Sequence, residues 1–268
     1  MNFLTDDLKS NYSVSPLPRR RWNVFDLVTI FGGDSVPGYL TCSVDLSWAE
    51  ALMGQLAKRG IRVTVTAVLI KAIALAQKLH PLSRSIILPW GRIVNVPHIT
   101  AGFTVERIID GEPVVYFGTI YDPVDKSVEQ IASELYEYKT SEIDALPQLA
   151  MEDRFTSIPW LLRKTIFLLA KCIPALRFKC FGATFGLSSL GKYGPDWVTG
   201  PCVCTTTFGV GVAEEKPVVD NEVVAVKPML NLTLGFDLRV MDTHSAQKFL
   251  LDVRQLVEGG MESELQQA

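Results

Sequence analysis

The sequence predicts an α+β chain, a mixed, largely antiparallel sheet covered by helices. Three observations carry this. Segments with helical and strand periodicity are interleaved without the regular strand–helix–strand rhythm of a parallel α/β protein. Strand-like pairs are joined by short turn dipeptides, Asp110-Gly111 and Asp220-Asn221, which favour antiparallel neighbours. The 268 residues are 48% apolar and 21% charged, enough to fill a core. No linker, repeat or low-complexity segment divides the chain, so residues 1–268 read as one domain.

In chain order, residues 38–46 alternate as a strand does, and Ser47 reads as the N-cap of a helix over 48–58 that stops at Gly60. Thr64 or Thr66 opens an Ala- and Leu-rich helix that ends near His80-Pro81. Its apolar residues run nearly all round, the mark of a buried helix. Residues 92–120 are strand-like and break at Asp110-Gly111; 125–138 are helical. The last third holds strand-like runs at 183–190, 203–213 and 222–234, then a closing helix over 244–258 with Gly259-Gly260 as its stop.

Residues 158–176 form an apolar stretch that carries Arg163, Lys164 and Lys171 between Pro159 and Pro174. A spanning helix needs about 20 nearly uncharged residues, so no transmembrane segment is expected here. The favoured reading is an amphipathic helix packed on its own domain, and the competing one is a helix lying on a membrane surface. A broad outer face of Trp160, Leu161, Phe167 and Leu168 would suit a binding role, although the same helix could roof an apolar pocket.

A net charge of −3 and the lack of a basic stripe argue against nucleic acid as a partner. The five cysteines are scattered, with no zinc-ligand or disulfide-framework spacing, which suits a reducing compartment. No basic region followed by an apolar core opens the chain, so a cytoplasmic location is expected. The three histidines are too separated to form a metal constellation. Cys202 and Cys204 alternate on a predicted strand and should face opposite sides as small buried side chains.

Residues 63–72 followed by His80-Pro81, residues 182–191, Gly209-Val210-Gly211, residues 216–221 and residues 228–237 form an ordered set of segments. Together they resemble the catalytic domain of 2-oxo acid dehydrogenase acyltransferases, which shares its fold with chloramphenicol acetyltransferase. The family signature, Asp-His-Arg-x-x-Asp-Gly, is matched by Asp237-Leu238-Arg239-Val240-Met241-Asp242-Thr243. The resemblance covers roughly residues 15–260, with an added helical segment near 146–180.

That resemblance implies a homotrimer whose active sites lie between neighbours, where coenzyme A meets an acyl carrier. No tightly bound cofactor is expected; coenzyme A or a pantetheine-type thioester would be a substrate, and an acyl thioester or carrier protein a partner. The signature histidine is the general base in this family, and Leu238 stands in its place. An aliphatic side chain accepts no proton. Ser188 maps onto the serine that donates to the tetrahedral oxyanion. Asp242 maps onto a carboxylate that pairs with an N-terminal arginine, here Arg21, while Asp237 and Arg239 read as loop-fixing charges. Thr243 replaces a glycine, so the loop bends differently if that glycine needed positive φ.

His244 is a candidate replacement base against the reading of an exposed or helix-capping histidine. His98, Leu238 and Ser189 are candidate substrate contacts; a satisfied sheet histidine is the alternative for His98. His80 reads as structural. An acyltransferase-like enzyme with non-standard chemistry (acyl transfer, condensation or cyclisation) is favoured over an inactive trimeric scaffold or a ligand-binding relative. A site plugged by Leu238, Phe185 or Trp197 would favour the scaffold.

Overall fold

The computed structural model describes residues 16–109, 111–180, 182–220 and 222–262. Its elements are α1 (Trp22–Ile30), β1 (Pro37–Asp45), α2 (Ser47–Lys58), α3 (Val65–Leu79), β2 (Ile86–Ile87), β3 (Ile93–Val94), β4 (Thr100–Ile109) and β5 (Glu112–Tyr121). Then follow α4 (Val128–Thr140), α5 (Pro147–Thr156), α6 (Trp160–Cys172), α7 (Pro174–Cys180), β6 (Phe185–Ser189), β7 (Thr206–Asp220), β8 (Val223–Asp237) and α8 (Thr243–Gln255). Among the described residues, six strands form one sheet in the order β1-β8-β7-β6-β4-β5, and β2 and β3 make a separate small hairpin. β6 pairs parallel with both β4 and β7, and the other pairings in the sheet are antiparallel. The fold class expected from sequence is the one observed.

The largest buried cluster lies on one face of this sheet. α3 is buried from Ala67 to Gln77, as its all-round apolar pattern requires. Thr64 caps it, accepting from the Ala67 N–H at 3.4 Å. Lys71 is buried inside this helix because its ammonium donates to the carbonyls of Val124 (2.6 Å) and Lys126 (2.8 Å). His80, at the end of α3, bonds Asp252 of α8 at 2.6 Å, which gives it the structural role expected. Against these helices the strands present alternate residues: Leu230, Leu232, Leu234 and Phe236 from β8, Phe185 and Leu187 from β6.

Several expectations are corrected. Ser47 lies inside α2, and Asp45 serves its first turn by accepting from both the N–H and the hydroxyl of Ser47. The apolar stretch over 158–176 is two helices, divided because Pro174 has no N–H to continue α6. The second of the three runs does not begin at 203. Val203 to Thr205 bend, with the Val203 N–H on the Pro201 carbonyl at 3.0 Å, and β7 starts at Thr206. Asp110 and Asn221, one residue of each predicted turn, lie outside the described residues.

α6 is amphipathic in an inverted sense. It buries Arg163, Phe167 and Ala170 and turns Leu161, Leu162, Leu168 and Leu169 outward. Phe167 therefore does not belong to the outer face; it packs edge-on against Phe31 of the turn after α1. Beyond the Asp45↔Met229 pair, β7 and β8 continue as a two-stranded ribbon with Val219, Val223, Val224 and Val226 exposed. Among the described residues, no helix is long and apolar enough to cross a membrane.

Candidate functional site

β6 sets the geometry. Phe185 and Leu187 point into the core, so the period of two turns Gly186 and Ser188 to the opposite face. There Ser188 is half-buried and its hydroxyl lies 3.4 Å from that of Thr104 on β4. Its register partner on β7 is Gly209, where a Cβ would sit 2.0 Å from the Val198 carbonyl oxygen. Only glycine permits that approach, which lets the loop before β7 close over the sheet beside Ser188.

The space above Ser188 is a cavity of about 1220 Å³. Its floor is the face of the sheet carrying Gly102, Thr104, Gly186, Ser188 and Thr207. α1 contributes Val24, Leu27 and Val28; α5 and α6 contribute Met151, Phe155 and Phe167; Val198 to Pro201 close one side. Small-molecule sites run to roughly 300–1,000 Å³; this one is larger and mostly apolar, with Ser188 and Thr104 among the hydroxyls of its lining. The roof depends on a buried pair: Arg163 Nε donates to Asp26 of α1 at 2.8 Å, and its Nη1 donates to the carbonyls of Thr156 and Ile158.

No expected plug fills the cavity. Phe185 faces the core, Trp197 is 62% exposed, and Leu238 is 44% exposed; none of the three lines it. Ser189 falls on the face opposite Ser188 and does not line it, because successive strand residues alternate. His98 is exposed ahead of β4 and likewise lies outside it. His244 is exposed in the first turn of α8 and does not line the cavity; among the described residues no hydrogen bond joins it to Ser188.

The expected Arg21–Asp242 salt bridge does not form. Asp242 is the N-cap of α8, and its two oxygens accept from the N–H (2.8 Å) and the hydroxyl (3.1 Å) of Ser245, which pulls its carboxyl below the usual aspartate value. Arg21 instead lies at the rim of the cavity. Thr243 begins the helix, so this position needs no left-handed backbone. Asp237 does fix the signature loop: it accepts from Arg239 Nη2 at 2.6 Å and from the Arg239 N–H at 3.0 Å.

Cys202 and Cys204 do not face opposite sides, since the bend at Val203 breaks strand alternation and both line a second, smaller cleft. Burial pushes Cys202 up to about 12 and Cys204 up to about 11, so neither is a ready nucleophile. Among the described residues no group of His, Cys, Asp or Glu could hold a metal ion.

Residues 179–264 match the family model "2-oxoacid dehydrogenases acyltransferase (catalytic domain)". Over 87 residues, 31% of this chain, the sequence is 39% identical to the lipoamide acyltransferase component of the branched-chain alpha-keto acid dehydrogenase complex of Pseudomonas putida. That match spans a fifth (20%) of the relative's length. The fold is similar to the dihydrolipoamide acetyltransferase of Azotobacter vinelandii, with TM-score 0.70, 21% identity and 96% of each chain covered. It is also similar to chloramphenicol acetyltransferase, with TM-score 0.50, 14% identity, and 92% of this chain and 98% of that one covered. This chain thus has the fold of the 2-oxo acid dehydrogenase acyltransferase catalytic domain, and its residues 179–264 match that family's model.

Proposed function

We propose that this protein takes an acyl thioester, or a comparable hydrophobic biosynthetic intermediate, into the cavity beside Ser188 and promotes its transfer without an imidazole base. The observation that carries this reading is the cavity itself: large, apolar, unplugged, and floored by a serine that the strand turns toward it. A pure scaffold has no use for such a space.

Ser188 donates to the thioester carbonyl as negative charge develops on its oxygen, with Thr104 beside it. In transfer to a thiol, the entering thiolate forms the new C–S bond as the old one breaks. The departing thiolate takes up the proton that the entering thiol lost. The Azotobacter vinelandii enzyme has been studied for the roles of a serine, a histidine and an asparagine in its catalytic mechanism. At the matching signature this chain carries Leu238 and Asp242. Without the base, transfer depends on the ionised fraction of the entering thiol and on positioning by the apolar walls. Coenzyme A or a pantetheine-type carrier would deliver the acyl group as a substrate.

Leu238 does not line the cavity of its own chain, so a neighbouring copy would supply the facing wall of each site in a homotrimer. The exposed apolar side chains of α6 and of the β7–β8 ribbon suit coverage by such neighbours.

The test is thiol release from acyl thioesters of increasing chain length. The expected results are turnover that rises with chain length, a fall of about 10²-fold in Ser188→Ala, and faster transfer in Leu238→His. Absence of turnover across the panel, with Leu238→His equally inert, would reject the reading.

A further inference from the structure

The second cleft, about 170 Å³, lies next to the large cavity and shares Val203 and Cys204 with it as a wall. Lys171 and Arg177, from α6 and α7, meet Arg239 of the signature loop there, with Asp34 and Asp237 as the carboxylates. Each carboxylate is already taken: Lys171 pairs with Asp34, and Arg239 binds Asp237 through Nη2 at 2.6 Å and Nε at 3.0 Å. Three cations against two carboxylates leave one positive charge over.

That charge is on Arg177. Its guanidinium lies over the Phe31 ring, 5.2 Å from the centroid, and Nη2 donates to the Val203 carbonyl at 3.3 Å. Among the described residues it forms no ion pair. A half-buried guanidinium that lies over a ring, lines a cleft and spends one donor on a carbonyl keeps donors for the flat, two-oxygen geometry of a carboxylate or for a phosphate. Burial pulls Arg177 below its ordinary value, as expected of a charge partly removed from water with no carboxylate of its own.

We propose that this cleft is an anion-binding site in which Arg177, braced by Phe31 and flanked by Lys171 and Arg239, holds a carboxylate or phosphate group. The cleft is well below the roughly 300–1,000 Å³ of a site for a whole small molecule, so it receives one anionic group and not a nucleotide. The proposal goes beyond the transfer reading and does not depend on it, since it is read from binding without turnover.

The test is calorimetric titration of the full chain with sodium phosphate, sodium acetate and sodium octanoate at constant ionic strength. Saturable binding is expected, with phosphate and the carboxylates competing for one site. Loss of a charged hydrogen-bond donor should weaken binding about tenfold or more in Arg177→Gln. Asp34→Asn, which releases Lys171 from its carboxylate, should tighten it. Octanoate binding more tightly than acetate would assign the anion to the end of an apolar chain; phosphate binding more tightly than either carboxylate would assign it to a phosphate ester. No saturable binding by any of the three overturns the proposal, as does equal affinity in Arg177→Gln. Should Arg177→Gln fail to fold, the gain in Asp34→Asn decides alone, and unchanged affinity there overturns it too.

Discussion

Replacing Arg163 by Met should unfold this protein more readily than almost any other single change on α6. The residue is 2% exposed, and its guanidinium donates to three acceptors: Asp26 at 2.8 Å and the carbonyls of Thr156 (2.9 Å) and Ile158 (3.0 Å). It also lies 5.1 Å from the centroid of the Trp22 ring. Met fills much of the space and donates nothing, so the Asp26 carboxylate, itself buried, is left without its counter-charge. Breaking a buried pair by removing one partner costs about 3–5 kcal/mol, chiefly because of the charge left behind. Two carbonyls, one at the last residue of α5 and one in the turn before α6, also lose their donor, a loss that overlaps with the first and is not added to it.

For a chain of this size the corresponding fall in Tm is about 6–20 °C. Urea unfolding followed by far-ultraviolet circular dichroism and by tryptophan fluorescence should shift together, since Trp22 sits against the pair. Adding Asp26→Leu to Arg163→Met removes the orphaned charge, and the double variant should regain most of the loss, because hydrophobic replacement of a whole buried pair is often neutral. A cost below about 1 kcal/mol in Arg163→Met would be the value of a solvent-screened surface pair, and it would refute the claim that this pair anchors the roof.

Two further outcomes follow from the same geometry. Asp242→Ala should lower the Tm at neutral pH, because Asp242 caps α8 through Ser245. The folded carboxyl is depressed, so its contribution is present above the unfolded aspartate value of about 3.9 and is lost as pH falls through the lower folded value. The gap between variant and wild type should therefore close in acid, and a gap unchanged at pH 2 would show that the cap is not ionic. With iodoacetamide at pH 8, exposed Cys172 should be alkylated first, while Cys202 (about 12), Cys204 and Cys42 (each about 11) remain protonated and protected. Peptide mass spectrometry showing Cys202 labelled as fast as Cys172 would contradict that order.

Elements whose pattern answers to one local rule were legible in the sequence. The run of small and aliphatic residues from Ala67 to Ala76 could only be buried on all sides, and it is. The positive φ of Gly60 ends α2 where the glycine stood. α6 defeated the same reasoning because periodicity identifies faces but not which one turns inward. Arg163 faces in since Asp26 awaits it from α1, a partner 137 positions away that no local window contains. The cysteines were misplaced for a similar reason: the bend at Val203 is fixed by a bond to the Pro201 carbonyl, and strand alternation does not survive it. Asp242 had a nearer partner than Arg21. Ser245 sits three residues on, the spacing at which an N-cap side chain meets a backbone N–H, and that signal was present in the sequence.

Strand alternation ties the orientation of Ser188 to the burial of Phe185 and Leu187, and the sequence did not show that burial; nor did it show the cavity, whose roof joins α1 to α5 and α6 across more than a hundred positions. The consequence concerns Leu238. Ser188 lines the cavity and Leu238 does not, so within one chain position 238 lies outside the walls around Ser188. A gain of transfer in Leu238→His would therefore speak to two matters at once. It would show that the thioester chemistry lacked only a base, and that the imidazole reached Ser188 from a second copy. A monomeric Leu238→His protein that transfers acyl groups as fast as an assembled one would separate these, keeping the chemistry and rejecting the shared interface.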